Sequence, residues 1–510
     1  MKTVQKNIVF NVIQTFVPLI VWIGLTPLIL RSLGPTRFGA WAVTQSVVGY
    51  MGILDLGIGP TVIKLVADAT SHQDWQRARC VGGSALLAYG VLGGIAGIVV
   101  FGGLPLFMRA VYDLPPDVEL QLNQIALVFG VQIIISLPGS VFPSIARGLQ
   151  RYEIYATQRV VQVFLNAFFI IFSLRKQWGV LGVIGSGTLA TSLTYLGMML
   201  WTWGLARNVF PTWKGVTWDS LKSLTTYSFL VFILQVSGVV IFSTSKIILG
   251  AVTSLDAVTV YDVASRIFDY LRTMTTALTD ALMPAAASLQ AMGEEQKVRK
   301  LFADGVSSMV TFFLLVAVPL FALAPLVTLA WVGEEIGVQS GLVLRILLIG
   351  FGAYCLTRVP MTVLMGTGKI KVYAIVRAIS ILFIPLLVWG GAWKFGVIGV
   401  AIASSVGLLL IDGYLFVYAC KLFKESIWTP LKDNLLLLLS AFFATIVAIF
   451  LSHFLVSQPW NIWLHIVITG FIWVGVFGGL SSAGYTLKLW HLPQLVNALP
   501  FVHGQSEREF

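Results

Sequence analysis

Apolar runs of about 20 residues recur along the chain and limit its possible folds more than any other feature. They extend from Ile8 to Gly484, and each is long enough to cross a hydrocarbon core about 30 Å thick. Only 11% of the 510 residues are charged, against roughly 25% in an ordinary soluble domain. The sequence therefore excludes a soluble protein and predicts an all-α polytopic membrane protein.

Polar residues between the apolar runs divide them into about fourteen predicted transmembrane helices. The first run is too long for the apolar part of a signal peptide, so we expect it to remain as the first helix. The predicted spans are 8–30, 40–66, 80–105, 121–146, 156–174, 180–206, 223–250, 257–288, 302–331, 340–364, 372–392, 396–420, 434–455 and 462–484.

Lysine and arginine are distributed unequally between alternate loops. In the alternate loops and the span ends beside them, one side of the membrane receives 21 of these residues and the other receives 6. Because basic loops stay in the cytoplasm, we predict that both termini are cytoplasmic. The net charge of +11 is then a consequence of orientation, and we predict no nucleic-acid partner.

The chain also resembles itself at an offset of about 218 residues. Gly148 and Arg159 match Gly366 and Arg377, and the segment 179–183 matches 396–400. Weaker matches pair Gln14 with Gln235, Pro105-Leu106 with Pro325-Leu326, and Leu33-Gly34 with Leu249-Gly250.

Two copies of six spans that begin on the same side predict two six-helix bundles, residues 1–210 and 211–425. We expect a pseudo-two-fold axis along the membrane normal to relate them, with the substrate path between them. Two additional helices occupy residues 426–485, and residues 486–510 form a cytoplasmic tail.

Ionisable residues within the spans are candidates for a functional site, because each costs about 2.5–3.5 kcal/mol at a span centre on insertion scales. In the eighth span, Asp262, Arg266, Asp269 and Asp280 share one helical face, and Arg272 lies just beyond its edge. This face can line a hydrated cavity. Alternatively, its charges pair with one another at i+3 and i+4 spacing.

Amides in the first and seventh spans form a second candidate group. Asn11 and Gln14 share a face, and Gln235 has a position corresponding to that of Gln14. Hydrogen bonds between helices explain such residues as well as a cavity does.

The remaining ionisable residues are scattered through other spans. Asp55 and Lys64 are nine residues apart, and a structural bridge explains Asp55 at least as well as substrate contact. Lys246, Arg345 and Arg358 are the other basic residues within spans, and the first two lie near enough to span ends to snorkel. Asp412 is a candidate proton or sodium site.

Motifs of enzyme and metal chemistry do not occur. The three cysteines lie far apart and the five histidines do not cluster, so we predict no metal site. Residues 366–370 lack the spacing of a phosphate-binding loop, and the loops are too short for an enzyme domain. We predict no catalytic residue and no cofactor, and coupling to a proton or sodium gradient stays open.

Two short motifs, one between the first two spans and one within the second, indicate a protein family more specifically than the composition does. Residues 33–41 are LGPTRFGAW, residues 55–59 are DLGIG, and Lys64 follows. This pattern resembles the polysaccharide transporter family of the multidrug/oligosaccharidyl-lipid/polysaccharide (MOP) superfamily. Phe38 and Lys64 stand where the family has tyrosine and arginine. The resemblance covers the whole chain, because the family has two six-helix bundles, often followed by two more helices.

The resemblance implies a flippase of the bacterial cytoplasmic (inner) membrane. Its cargo would be an undecaprenyl-pyrophosphate-linked oligosaccharide for a surface polysaccharide such as O-antigen, carried by alternating access of a basic central cavity. Its partners would be membrane lipids, this lipid-linked oligosaccharide, a polysaccharide polymerase and chain-length proteins. The implied diphosphate-binding residues are Lys64, Arg266, Arg272 and Arg358, and the residues implied to orient them or to bind sugar hydroxyls are Asp55, Asp262, Asp269 and Asp280.

A cation-coupled drug or metabolite exporter of the same superfamily is the alternative. It would favour an acidic, aromatic cavity and a carboxylate for the coupling ion, a role that Asp55 or Asp412 could fill. A membrane glycosyltransferase or polymerase needs a large outward loop, and the longest one here, residues 109–120, is too short.

Overall fold

A computed structural model describes residues 2–212, 229–280, 282–428, 434–456 and 462–486, together with residues 216 and 432. The regular structure of these residues is helical, and the prediction of an all-α polytopic membrane protein is confirmed. Most of the predicted tail, 486–510, lies outside the described residues.

The chain folds into two compact units, Met1–Asp262 and Val263–Phe510, which we call the N-terminal unit and the C-terminal unit. Their boundary falls inside one helix, whereas the predicted repeat boundary lies at residues 210 and 211. Packing units and sequence repeats are different divisions of a chain, and the superposition of the two repeats stays a prediction.

The N-terminal unit contains nine complete helices among its described residues, and a tenth helix crosses the unit boundary. The helices are α1 (Lys2–Leu33), α2 (Pro35–Gly49), α3 (Ile58–Ser71), α4 (Trp75–Val111), α5 (Pro116–Gly139), α6 (Val141–Gly148), α7 (Tyr152–Arg175), α8 (Gly179–Leu205), α9 (Phe229–Val252) and α10 (Leu255–Thr279). Short 3-10 turns at Tyr50–Asp55 and Arg207–Val209 precede α3 and follow α8.

The described part of the C-terminal unit continues from α10 with long helices. They are α11 (Leu282–Ala291), α12 (Glu295–Phe312), α13 (Val318–Val332), α14 (Glu334–Gly366), α15 (Lys371–Phe423), α16 (Leu435–Val456) and α17 (Ile462–Thr486). A π-helical turn, Phe313–Ala317, joins α12 to α13.

Eleven helical segments among the described residues are long and apolar enough to cross a membrane. One of them, α15, contains two predicted spans, and α16 contributes a shorter apolar segment, Leu435–Phe450. The predicted span 257–288 corresponds to α10 and α11, whose charged residues make it less apolar. Every predicted span thus has a helical counterpart, in agreement with a count of about fourteen.

Two pairs of glycines explain the sequence match of 179–183 with 396–400. Gly179 and Gly396 have φ of +58° and +57°, a backbone conformation that glycine adopts without steric cost, and each allows the chain to turn between two spans. Three residues later, Gly182 and Gly399 lie where an added Cβ would clash at 2.6 and 1.9 Å. The pair Leu33-Gly34 and Leu249-Gly250 lies at two helix ends, since Gly34 follows the end of α1 and Gly250 lies two residues before the end of α9.

Candidate functional site

The DLGIG motif forms a capped turn at the start of α3. Leu56 and Gly57 have φ of +47° and +75°, which reverses the chain, and Asp55 Oδ1 accepts a hydrogen bond from the Gly59 N–H at 3.3 Å. The Tyr89 hydroxyl of α4 donates to the same oxygen. Gln235 Nε2 of α9 lies 3.5 Å from Asp55 Oδ2. Asp55 therefore joins three helices of the N-terminal unit through neutral partners, while Lys64 lies exposed on α3.

The preceding LGPTRFGAW motif holds α2 against α10. A Cβ added at Gly39 would lie 1.9 Å from the Leu255 carbonyl oxygen, so only glycine permits this approach. Thr259 Oγ1 of α10 donates to the Pro35 carbonyl at 2.7 Å. Phe38 is fully buried and packs edge-on against Trp41. Both motifs thus have structural roles within the N-terminal unit, one in a turn and the other in helix packing.

A buried ion pair links α9 to α10. Lys246 Nζ lies 2.5 Å from Asp262 Oδ1, and the Asp262 side chain is only 1% exposed. The expectation that Lys246 snorkels to the membrane surface is wrong, because the buried carboxylate holds the ammonium inside the unit. In this structure the Asp262 carboxylate is paired with the Lys246 ammonium of the same unit.

Two ion pairs of the C-terminal unit contain four of the predicted site residues. Arg272 Nε donates to Asp269 Oδ1 at 3.1 Å, with 34% and 36% of these side chains exposed. Arg358 Nη2 of α14 lies 3.5 Å from Oδ1 of Asp280, whose side chain is 68% exposed. Pairing at i+3 within α10 therefore occurs, as one of the two interpretations predicted. Asp269, Arg272 and Asp280 also remain accessible, whereas the Arg358 side chain is only 14% exposed.

For the other predicted site residues, the structure gives the helix on which each lies and, for two of them, the degree of burial. Arg266 lies half-buried on α10, one turn before Asp269, and Gln14 is half-buried on α1. Asn11 also lies on α1, but its side chain is outside the described residues.

Asp412 was considered as a coupling-ion site, and the structure shows it as half of a buried ion pair. Its carboxylate pairs with Arg377 and accepts a hydrogen bond from Thr357 Oγ1 at 2.8 Å. Arg377 also donates to the Tyr373 hydroxyl at 3.1 Å. The interpretation of Asp412 as a lone carboxylate was therefore wrong, because the sequence does not show that α15 folds back on itself.

Arg345 was expected to snorkel, and this expectation was also wrong. Its guanidinium donates to the carbonyl oxygens of Phe321 and Ala322 on α13 at 2.9 and 3.0 Å. Pro325 follows these residues inside the same helix, and a proline leaves a preceding carbonyl without its helical N–H. Arg345 thus supplies hydrogen bonds to the backbone of α13.

A polar cavity of about 230 Å³ lies inside the N-terminal unit. It is open on one side and is bounded by α1, α2, α5, α7 and α8, and its lining includes Gln132, Arg159, Gln162 and Asn166. The sequence interpretation did not include these residues in a site. The available signal was the group of two amides and an arginine within the fifth span and at its cytoplasmic end.

The sequence matches a known family and a known transporter. Residues 4–290 match the model of the family described as polysaccharide biosynthesis protein. A Shigella flexneri protein whose name assigns it as an O-antigen transporter is 20% identical over 435 residues, which cover 83% of this chain and all of that protein.

Solved structures share the fold. The lipid II flippase MurJ in an inward closed conformation has a TM-score of 0.72 at 12% identity, covering 94% of this chain and 100% of that one. An inward-facing multidrug resistance transporter of the MATE family and MOP superfamily has a TM-score of 0.65 at 16% identity, covering 81% and 98%. At these identities the likeness shows the fold, and the family match covers more than half of the chain. The chain therefore belongs to the polysaccharide biosynthesis protein family, with the fold of the MOP-superfamily transporters.

Proposed function

We propose that this protein is a flippase of the bacterial inner membrane for a lipid-linked oligosaccharide. Its cargo on this proposal is an undecaprenyl-pyrophosphate-linked oligosaccharide, which moves from the cytoplasmic to the opposite leaflet for surface polysaccharide biosynthesis. The family, the S. flexneri relative and the fold shared with a lipid II flippase support this function. They favour a transporter over an enzyme.

The observation that carries the proposal is the set of accessible charges on α10 and directly after its end. Asp269, Arg272 and Asp280 expose between a third and two thirds of their side chains. A charge that faces lipid at membrane depth costs several kcal/mol, so such residues face water or a partner. A hydrated, charged surface inside the membrane suits a polar and anionic cargo better than an apolar drug.

The proposed roles follow from charge and hydrogen-bonding geometry. A diphosphate in a partly dry site is stabilised by fixed cations, and arginine binds phosphate oxygens through two parallel hydrogen bonds. The cations in this role are Lys64, Arg266, Arg272 and Arg358. Asp269 and Asp280 hold two of these guanidinium groups in place, whereas Asp55 and Asp262 orient groups within the N-terminal unit.

Transport on this proposal occurs by alternating access, with the polyprenyl tail remaining in lipid. A basic central cavity stays a prediction, as do the polymerase and chain-length proteins as partners. Coupling to a proton or sodium gradient is tested by collapsing each gradient in turn.

A vesicle assay tests the function directly. The full chain is reconstituted in phospholipid vesicles with a fluorescent undecaprenyl-pyrophosphate-linked oligosaccharide, and a quencher that cannot cross the membrane measures translocation. We expect protein-dependent translocation that falls strongly in Arg272→Gln and less in Arg272→Lys. Arg151→Gln is the matched control, because Arg151 pairs with Glu153 in an exposed turn. Equal translocation with and without protein would contradict the proposal.

The fold shared with a multidrug resistance transporter favours a second candidate, a cation-coupled exporter of drugs or metabolites. The buried pairing of Asp412 with Arg377 leaves that carboxylate less suited to bind a coupling ion. Efflux of ethidium from the same vesicles under a proton or sodium gradient, without translocation of the lipid-linked sugar, would favour the exporter.

A further inference from the structure

The polar cavity of the N-terminal unit contains more hydrogen-bonding groups than its own helices use. Gln162 Nε2 donates to Thr191 Oγ1 at 3.0 Å, and Gln132 Oε1 accepts from Thr188 Oγ1 at 3.2 Å. Within the described part of the chain, Asn166 makes no hydrogen bond although its Oδ1 is buried. An unsatisfied buried amide costs free energy unless water or a ligand pairs with it.

The cavity also contains a cation without a carboxylate partner. The exposed side chain of Arg159 lines it, and no aspartate or glutamate among the described residues lies within ion-pair distance of its guanidinium. The matching residue in the other repeat, Arg377, is neutralised by Asp412. At the offset of 217 residues that relates Gly179 to Gly396, the residue that corresponds to Asp412 in the sequence is Tyr195. By this sequence correspondence, the N-terminal unit has the arginine of the pair without its aspartate.

Two tryptophans add an aromatic surface to the same cavity. Trp22 and Trp41 stack with ring centroids 6.4 Å apart and planes inclined by 23°, and both line the cavity. The apolar C–H face of a pyranose packs against such rings, while amides bind its hydroxyl groups. An inorganic phosphate or diphosphate has no surface for this contact.

The volume limits the size of the occupant. Pockets for drug-sized molecules measure about 300–1,000 Å³, and this cavity measures about 230 Å³. The volume inside the unit suits one sugar ring. The fixed charge of Arg159 favours a ring that bears a carboxylate.

We propose that this cavity binds one acidic sugar residue, of the hexuronate class, from the transported glycan. Arg159 binds the carboxylate, and Asn166 and Gln132 bind hydroxyl groups. Trp22, which packs on the buried Trp41, packs against the sugar ring. The proposal rests on the flippase function and names the chemical class of sugar that this unit recognises.

Saturation-transfer NMR on the purified full chain tests the proposal with glucuronate, glucose and inorganic pyrophosphate as separate probes. We expect stronger binding of glucuronate than of glucose, and a loss of about tenfold in glucuronate affinity in Arg159→Gln, since a charge-assisted hydrogen bond is lost. Glucose binding should change little in this variant. Arg151→Gln serves as the control and should bind both sugars as the wild type does.

A second variant separates binding from folding. Asn166→Asp is nearly isosteric and adds a carboxylate to the cavity that holds Arg159, so it should weaken glucuronate binding far more than glucose binding and abolish the preference for glucuronate. Equal binding of both sugars by the wild type, unchanged glucuronate binding in both variants, or displacement of glucuronate by pyrophosphate would each overturn the proposal. If the same preparation translocates the lipid-linked sugar normally, only the sugar site fails; if the wild type does not translocate it, the flippase function fails.

Discussion

At the scale of single residues, the buried charges act as structural links between chain segments. Lys246 and Asp262 join α9 to α10, and Arg377 and Asp412 join the two arms of α15. Removing one member of a buried pair leaves the other charge without a partner, which costs about 3–5 kcal/mol, whereas replacing both with apolar residues is often tolerated. These pairs therefore contribute to the fold, and the accessible pairs of α10 and α14 remain the better candidates for cargo contact.

The pair in α15 gives the first prediction. Asp412→Asn should lower the free energy of unfolding by about 3 kcal/mol, because Arg377 stays charged and buried. The double variant Arg377→Met with Asp412→Leu should recover most of this loss. Thermal unfolding in detergent, followed by intrinsic fluorescence, measures both variants. Equal destabilisation of the single and double variants would contradict the ion-pair interpretation.

Tyr112 gives a prediction about alkaline pH. It lies between α4 and α5, is buried, and donates its hydroxyl to the Ile247 carbonyl oxygen at 3.0 Å. Burial raises the pKa of Tyr112 above its ordinary value of about 10. The unfolded chain therefore loses the phenol proton first, and the stability that the neutral phenol contributes is present below about pH 10 and declines above it.

Tyr112→Phe is the matching comparison for this effect. At pH 8 the variant should be less stable by about 1 kcal/mol, since one hydrogen bond is lost. Between pH 10 and 11 the difference should narrow, because only the wild type has this phenol to ionise. A difference that stays constant across this range would show that Tyr112 does not have the raised pKa.

At the scale of elements, the long helix α15 is two helices joined at one residue. Gly396 has φ of +57° and ψ of −136° inside it, a combination that side chains with a Cβ adopt only with strain. Pro385 and the close contact of Gly391 with Gly399 further shape the first arm and the turn. The two predicted spans 372–392 and 396–420 are thus correct, and the turn between them requires glycine.

Alanine substitutions at two nearby glycines test this turn. Gly396→Ala should destabilise the protein by about 1–2 kcal/mol, the cost of a left-handed conformation for a residue with a Cβ. Gly390→Ala is the control, because Gly390 is helical and an added Cβ meets no atom within 4 Å. Thermal unfolding of the two variants under identical conditions makes the comparison. A larger loss in Gly390→Ala would contradict the assignment of the turn to Gly396.

At the scale of the whole molecule, apolar runs and loop charges describe the helices well, because hydropathy determines which segments cross a membrane. Side-chain partners were harder to predict. Lys246 appeared close to a span end, and only the packing of α9 on α10 shows that Asp262 holds it. Asp412 appeared to be alone, since the contact that neutralises it joins residues on different arms. The cavity around Asn166 was missed because five helices build it.

The loop charges also make a prediction for the whole chain in the membrane. A phosphatase fused after Leu114, between α4 and α5, should be active in the periplasm, and one fused after Gln73, between α3 and α4, should be inactive. Enzyme activity in intact cells, normalised to the amount of fusion protein, measures the difference. The reverse pattern would contradict cytoplasmic termini and the direction of transport proposed above.

The ion pair of α15 also has a consequence for biosynthesis. Arg377 leaves the ribosome 35 residues before Asp412. It lies near the start of the first arm, where an unpaired arginine costs less than the ~2.5–3.5 kcal/mol of a helix centre on insertion scales. The first arm alone therefore enters the membrane with one unpaired charge near its start. The two arms are better accommodated when they leave the translocon together as a hairpin closed at Gly396, with the charges already neutralised. Asp412 thus assists the membrane insertion of a helix that is synthesised before it.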